Sequence, residues 1–382
     1  MERSSNETIK VSVVLPCLNE QDAIGACIEK IKDLFCKESI KGEIIVVDNG
    51  STDNSAQIAK QLGAQVISQP MRGYGTAYIA GLNEAQGKYL VIGDADNTYD
   101  FYEIPKFIQL LDEGYELVMG SRFRGKMSKG AMSWSHRFIG NPIITFVFRV
   151  FFRTNLSDVL SGMRAFTKNA YMKMSLRCLG MEFGTEMIFS SLQKKLRITE
   201  VAIAYYPRKG KSKLRPFKDA WRYFRFMLLF SPAWLYLLPG FLLALIGALI
   251  LVLLAQGPFS FLGRTWHIHP MFLGSLLTLL GFQILNLGIW AKLFAIREGY
   301  LRRDKLITFL MRHFRLETGI LLGGIFFLVG FLINAFILLE WWVSAFGPLH
   351  RIREAILAMT LMVLGLQMVF SSFFLSLLAM EK

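Results

Sequence analysis

Four apolar runs, at about 227–255, 271–296, 319–339 and 356–378, constrain this chain more than any other feature of its sequence. Each is close to or beyond the ~20 residues that a helix needs to cross a bilayer. Inside hydrocarbon every backbone amide must be bonded within its own segment or a closed barrel, so runs of this length are expected to be membrane helices. The change of composition is sharp. Residues 1–226 are expected to form an α/β domain outside the bilayer, and residues 227–382 an all-α domain of four transmembrane helices.

The formal net charge of +14 would ordinarily point to nucleic acid. Here the cations gather beside the apolar runs, as in membrane-flanking loops that meet anionic lipid, so membrane lipids and no nucleic acid are the expected partners. Arg297, Arg302, Arg303, Lys305, Arg312 and Arg315 crowd the connection between the second and third runs. The other two connections hold only Arg264, and then Arg351 with Arg353. The positive-inside rule puts the crowded connection in the cytoplasm. With four crossings, both termini and the first domain of this integral membrane protein then fall on that side. The polar start, Met1-Glu2-Arg3-Ser4-Ser5-Asn6, has no apolar signal core and agrees with this. The membrane domain also leaves room for a homo-oligomer. Cys17, Cys27, Cys36 and Cys178 form no C-x-x-C pair and read as reduced, small apolar residues.

In the first domain, short apolar strands alternate with helical stretches. Val11 to Leu15 (stopped by Pro16), Ile44 to Val47, Gln65 to Ser68, Tyr89 to Gly93 and Leu117 to Met119 read as strands. Helices are expected from Asp22 to Phe35, Ser55 to Leu62, Gly75 to Ala85 and Glu103 to Glu113. The alternation builds βαβ units and a Rossmann-like, mainly parallel sheet. Gly73-Tyr74-Gly75-Thr76-Ala77-Tyr78 lacks the third glycine of the dinucleotide fingerprint and precedes the third helix, so hydride transfer is disfavoured.

Three polar turns fall where strands end: Asn19-Glu20, Asp48-Asn49-Gly50-Ser51 and Asp94-Ala95-Asp96. Open α/β sheets bind their ligands in the crevice beyond those ends. Asp94 and Asp96 do not belong inside an apolar strand, and two hard oxygen ligands suit Mg2+ or Mn2+ shared with phosphate oxygens. A carboxylate at a strand end can accept from a base N–H or a ribose hydroxyl, so the three turns together describe a nucleoside-diphosphate site. Asp48 fits equally well as a turn residue bonding its own backbone. Arg122, Arg124, Lys126, Lys129 and Arg137 follow the fifth strand, suited to a second phosphate or to a solvated loop. Ile143 to Phe152 is apolar nearly all round yet too short to span, and reads as an interfacial anchor or a core helix. Asp219 to Phe226 mixes aromatics with Arg222 and Arg225, an interfacial helix leading into the bilayer. Glu182 and Glu186 share one helix face, where one could contact sugar hydroxyls or both could stay solvated.

Leu15-Pro16-Cys17-Leu18-Asn19-Glu20, Val47-Asp48-Asn49-Gly50-Ser51-Thr52-Asp53, Asp94-Ala95-Asp96 and Gly120-Ser121-Arg122-Phe123, in this order, resemble the family-two glycosyltransferases of the GT-A fold. The branch they resemble is the polyprenyl-phosphate glycosyltransferases, similar to dolichol-phosphate mannose synthase, and the resemblance covers about residues 9–225. It implies that Pro16, Glu20 and Asp48 contact the nucleotide, with Asn19, Asn49, Ser51 and Ala95 counted in the same donor site. It implies that Asp94 and Asp96 carry the metal and the donor diphosphate, Asp96 with a catalytic role. Arg122 and Arg137 would be catalytic contacts gripping the lipid phosphate of the acceptor. Asp158-Val159-Leu160-Ser161-Gly162-Met163-Arg164-Ala165-Phe166 resembles the family's D-x-x-S-G-x-R-x-F stretch, which puts Arg164 at the donor. Arg208-Lys209-Gly210-Lys211-Ser212-Lys213-Leu214 resembles R-x-G-x-S-K-L, which makes Arg208, Lys211, Ser212 and Lys213 a phosphate clamp. The chain departs from the pattern at Asn49, often a second Asp, and at Thr98, in some members a metal-side Gln.

The implied reaction is inverting, metal-dependent transfer of a hexose from a UDP- or GDP-linked donor to polyprenyl phosphate. It hardly requires a base, because a phosphate monoester with a second pKa of about 6 is already anionic at neutral pH. A processive polysaccharide synthase, or a transferase to another lipid or glycan, is the competing enzyme. Such synthases usually carry Q-x-x-R-W, whereas Gln193 is followed here by Lys194-Lys195-Leu196-Arg197. A non-catalytic scaffold for sugar-lipid translocation sits badly with an intact Asp94/Asp96 pair.

Overall fold

A computed structural model describes residues 9–210, 216–261, 263–313, 316–348 and 350–379. The chain divides into two compact units, one ending at Met227 and the other beginning at Leu228.

Among its described residues the first unit holds seven strands: β1 (Val11–Cys17), β2 (Gly42–Asp48), β3 (Gln65–Ser68), β4 (Tyr89–Ile92), β5 (Leu117–Ser121), β6 (Arg164–Thr167) and β7 (Ile198–Ala202). Its helices are α1 (Ile24–Lys37), α2 (Ser55–Gln61), α3 (Tyr74–Glu84), α4 (Ile104–Asp112), α5 (Asn141–Phe152), α6 (Lys168–Met174), α7 (Phe183–Gln193) and α8 (Pro216–Leu229). The sheet order is β3-β2-β1-β4-β6-β5-β7. Val11–Val14 and Ile44–Val47 are buried throughout. Burial on both faces needs helices covering both sides of a parallel sheet. Helix α1 supplies one cover by turning Ile24, Cys27, Ile28, Ile31 and Leu34 inward at helical spacing. β1 runs one residue past Pro16, and β4 accompanies it only as far as Val14. The amide that Pro16 lacks therefore interrupts no bond on that side.

Two strands lie outside the sequence expectation. β6 is antiparallel to both β4 and β5 and separates them, and β7 pairs in parallel with β5 at the edge. β6 is four residues long and begins with an arginine, so no apolar run announces it. The switch of direction brings the chain before Arg164 back to the carboxyl end of β4, where the polar turns gather.

In the second unit, α9 (Leu238–Ala255), α10 (His269–Arg297), α11 (Lys305–His313), α12 (Leu316–Val343) and α13 (Ile352–Ala379) follow one another. Among the described residues four segments are long and apolar enough to cross a membrane: Ala233–Ala255, His269–Arg297, Leu316–Val343 and Ile352–Leu378. Lipid gives apolar helices no hydrophobic reason to associate, so close backbone approach must do so. Gly247 lies against Gly274 between α9 and α10, and Gly323 against Gly365 between α12 and α13. A Ser275–Thr360 hydrogen bond of 2.7 Å ties α10 to α13. Leu249, Val252, Phe336 and Leu338 stay exposed, as lipid-facing residues do. Lys292, near the end of α10, pairs with Asp304.

Candidate active site

The carboxyl ends of β1, β2 and β4 lie side by side, and their turns are sewn together by short polar side chains. The Asn19 amide N–H donates to Ser51 Oγ (3.0 Å), and the Thr52 N–H donates to Asn19 Oδ1 (2.7 Å). Asn19 takes a positive φ of 51°, which its short polar side chain tolerates. The Glu20 N–H donates to Ser55 Oγ (2.8 Å), while Asp53 accepts from the backbone of Ser55 (3.0 Å) and Gln21 (3.2 Å). Asp48 Oδ1 accepts from the Ser51 N–H (3.0 Å), so one of its oxygens does serve the turn. Pro16 is half-buried at this end of β1.

Glu20 and Asp96 are both buried, and one cation reaches both. Arg208 bonds Glu20 through Nη2 and stands 3.3 Å from Asp96 Oδ2 through Nη1. Its Nε is buried and has no hydrogen-bond partner among the described residues. The chain carrying it is pinned across the site: the Tyr206 N–H donates to Thr98 O (2.9 Å) and the Lys209 N–H to Asp96 O (3.3 Å). Thr98 donates to Asp96 Oδ1 from its hydroxyl (2.6 Å) and its backbone (3.1 Å). Asp94, partly buried, accepts from the Tyr74 hydroxyl at 3.0 Å. Opposite, Gly162 comes so close that an added Cβ would lie 2.8 Å from Asp94 Oδ2. Burial, then the charge of Asp96, pushes the Asp94 carboxyl up to about 7, against the Tyr74 hydrogen bond and the charges of Arg208 and Arg122.

These groups fit a divalent cation. A carboxyl held up by burial and then by its neighbour, and a guanidinium drawn across two others, suit a site that takes up positive charge. Among the described residues no group of three or more His, Cys, Asp or Glu could hold a metal. Asp94 and Asp96 would therefore supply part of a shell completed by phosphate oxygens and water, as Mg2+ commonly arranges it.

Several residues expected at the donor or acceptor also make bonds or contacts within the protein. Asn49 is buried; its Nδ2 donates to Gln69 O (2.9 Å) and Met71 O (2.8 Å), and its Oδ1 accepts from the Gly73 N–H (2.8 Å). An aspartate could not donate to those two carbonyls, which accounts for the departure at this position. The Ala95 methyl is packed into the hydrophobic core. Arg122 is buried and bidentate to Asp158, by Nε (2.7 Å) and Nη2 (2.8 Å), with its own backbone N–H on the same carboxylate (3.1 Å). Arg164 gives Nε to Ser161 O (2.9 Å), Nη2 to Val159 O (3.1 Å) and Nη1 to Gly184 O, so it braces the loop around Gly162. Glu186 is buried and takes the backbone N–H groups of Arg177 (2.9 Å) and Cys178 (2.8 Å). Glu182 is half-buried beside Gly180.

Arg137 lies on the exposed 133–150 segment with its guanidinium over the Phe138 ring (5.3 Å). The same segment exposes Phe138, Ile139, Ile143 and Phe146 while burying Thr145 and Phe148. α5 is thus two-faced rather than a core helix. Lys211, Ser212 and Lys213 lie outside the described residues. Tyr74, Thr98, Tyr99 and Asp158 all bear on the site. Of these, Asp158 stood in a recognisable motif, Thr98 at a position where the chain departs from the family pattern, and Tyr74 in a glycine turn notable for the fingerprint it lacks.

Comparison with known proteins shows the family of the chain. Residues 12–175 match the model of glycosyl transferase family 2, and residues 289–379 match the family 2 C-terminal transmembrane region. The low-salt glycan biosynthesis hexosyltransferase Agl6 of Haloferax volcanii is 39% identical over 368 residues, which is 96% of this chain and 88% of the relative. The dolichyl-phosphate hexose transferase of the same organism is 30% identical over 208 residues, 54% of this chain and 87% of the relative. Among solved structures, glucosyl-3-phosphoglycerate synthase from Mycobacterium tuberculosis, in complex with Mn2+, UDP and glucosyl-3-phosphoglycerate, is 25% identical with a TM-score of 0.44. That match covers 58% of this chain and 77% of the synthase. Four apolar helices together with the matched transmembrane region make this an integral membrane protein.

Proposed function

The chain belongs to glycosyl transferase family 2, and we propose that it moves a hexose from a UDP- or GDP-linked donor to a polyprenyl phosphate, with Mg2+ or Mn2+ held at Asp94 and Asp96. The observation that carries this reading is the convergence of Glu20, Asp96 and Arg208 beside Asp94 at the ends of β1 and β4. Bound there, the metal would neutralise the donor diphosphate and make it a better leaving group. Glu20 and Asp48, at the ends of neighbouring strands, accept from the nucleotide. Arg208, once drawn off Glu20 and Asp96, meets the charge that develops on the departing diphosphate. The acceptor phosphate, anionic with a second pKa of about 6, attacks the anomeric carbon as the bond to the diphosphate breaks. Attack from the face opposite the leaving group inverts that centre. Arg137, on an exposed strip of aromatic and basic residues, is the cation offered to the lipid phosphate. Arg122 acts through Asp158 rather than on the substrate.

The acceptor class is supported by the Haloferax volcanii relative named as a dolichyl-phosphate hexose transferase. The positive charges between Arg297 and Arg315 support a cytoplasmic position for the first unit and both termini, where nucleotide sugars are supplied. The test is full-length protein in lipid nanodiscs with Mn2+, polyprenyl phosphate and a panel of UDP- and GDP-hexoses. Labelled sugar should enter the lipid fraction with one donor, and Asp94→Ala should abolish it. Transfer to a sugar or a lipid diphosphate, with none to lipid phosphate, would overturn the acceptor assignment.

A further inference from the structure

The turn that opens α3 is held from two directions and points at Asp94. On one side Asn49 Oδ1 accepts the Gly73 N–H at 2.8 Å. On the other, the Leu179 carbonyl accepts the N–H groups of Gly75 (3.0 Å) and Thr76 (3.2 Å), capping the first turn of the helix. Gly75 packs so tightly on this loop that an added Cβ would clash with the Cys178 carbonyl. The loop is in turn fixed by Glu186, which takes the N–H groups of Arg177 and Cys178 (2.9 and 2.8 Å). Between these supports stands Tyr74. Its ring meets Tyr78 edge-on (4.9 Å, 84°), and Tyr78 stacks on Phe183 at the start of α7 (5.4 Å). Its hydroxyl donates to Asp94 Oδ1 (3.0 Å). The other oxygen of Asp94 is confined by Gly162, whose N–H donates to the Tyr99 hydroxyl (2.7 Å).

We propose that Tyr74 is the positioning residue of the metal site: its hydroxyl fixes the Asp94 carboxylate, and Asn49 and Glu186 hold the turn that aims it. This rests on the reading of Asp94 as a metal ligand. A carboxylate with two rotatable bonds binds a cation well only if something else holds it, and groups that orient ligands in this way are typically worth about 10–100-fold in metal affinity. Phenylalanine keeps the ring and its packing and removes only the hydroxyl. Asn49 and Glu186, expected at the donor, thus reach the chemistry through this turn.

The test uses full-length protein in detergent without nucleotide, titrated with Mn2+ and followed by the electron paramagnetic resonance of the free ion. Tyr74→Phe should weaken Mn2+ binding about tenfold or more. In transfer assays it should raise the Mn2+ requirement and the donor KM, with kcat recovering at saturating Mn2+. Glu186→Gln, which keeps one acceptor oxygen, should shift Mn2+ binding in the same direction by less. A Tyr74→Phe protein with a lowered melting temperature but an Mn2+ affinity within twofold of the parent would show a purely structural tyrosine and overturn the proposal. Asp94→Asn separates the two readings. If it binds Mn2+ as tightly as the parent, the metal site itself is misplaced and both fall; if it loses Mn2+ while Tyr74→Phe does not, only the role of Tyr74 falls.

Discussion

Arg208→Met is the most informative single change at the donor site. The guanidinium bonds Glu20 and stands 3.3 Å from Asp96. Its side chain is 23% exposed and those of the two carboxylates 9% each, so water screens the contacts only in part. At an effective dielectric near 20, unit charges at such a range attract by about 4 kcal/mol before desolvation is subtracted. Removing one partner of a well-buried pair typically costs about 3–5 kcal/mol; the partial exposure of Arg208 places this case nearer ~2 kcal/mol. The same positive charge that satisfies Glu20 and Asp96 opposes a metal ion arriving at Asp94 and Asp96. Methionine keeps the stem, takes the positive charge away from Glu20 and Asp96 and removes the competitor. Mn2+ binding without nucleotide should therefore tighten about tenfold, ~1.4 kcal/mol, while the metal-free protein melts lower. Transfer should fall by about 10²-fold or more, because a preorganised cation no longer meets the leaving diphosphate. The two signs are opposed, which makes the experiment decisive. An unchanged or weaker Mn2+ affinity would refute the idea that Arg208 and the metal compete for one charge.

Arg122→Met and Asp158→Asn should each destabilise the first unit by about 3–5 kcal/mol, because either leaves a buried charge unmatched. The double variant should recover part of the loss in a denaturant-unfolding cycle, and additive losses would contradict a mutually satisfied pair. The metal-free protein should also lose stability as pH rises. Asp94 is lifted from 3.8 to about 7, so its contribution is complete below the unfolded value and is lost as pH rises through the folded one. The shift bounds the effect at about 4 kcal/mol. Melting temperatures at pH 5.5 and pH 8 should differ in the parent and converge in Asp94→Asn or with saturating Mn2+; equal slopes in parent and variant would count against the perturbed carboxyl.

What was legible in the sequence follows from how many physical arrangements each stretch permits. Val11–Val14 and Ile44–Val47 are apolar on both faces and flanked by turn residues, and only a covered parallel strand satisfies them. Asp94 and Asp96 close such a strand, and a strand end was the one place where they could be solvated or liganded. The four apolar runs were equally constrained by length. β6 was not legible, because Arg-Ala-Phe-Thr has neither the length nor the pattern of a strand. Its arginine is buried only because the carbonyls of Val159, Ser161 and Gly184 turn toward it, and these contacts are made by tertiary folding.

The polar residues show the same limit from the other side. Motif position suggested Asn49, Arg122 and Arg164, and a shared helix face suggested Glu186, as site residues, but neither could say whether their bonds were free. Each is engaged by the protein: Asn49 by two carbonyls and an amide, Arg122 by Asp158, Arg164 by three carbonyls, Glu186 by two amides. Buried polar groups must be satisfied somewhere, and part of the bonding capacity of these four is taken up inside the protein. Arg208 differs, because its Nε is buried and has no hydrogen-bond partner among the described residues while its other nitrogens bridge two carboxylates that a metal and a nucleotide would claim. The proposed chemistry therefore rests on Glu20, Asp94, Asp96 and Arg208, and the internally bonded residues around them would be the frame that keeps Asp94 in place.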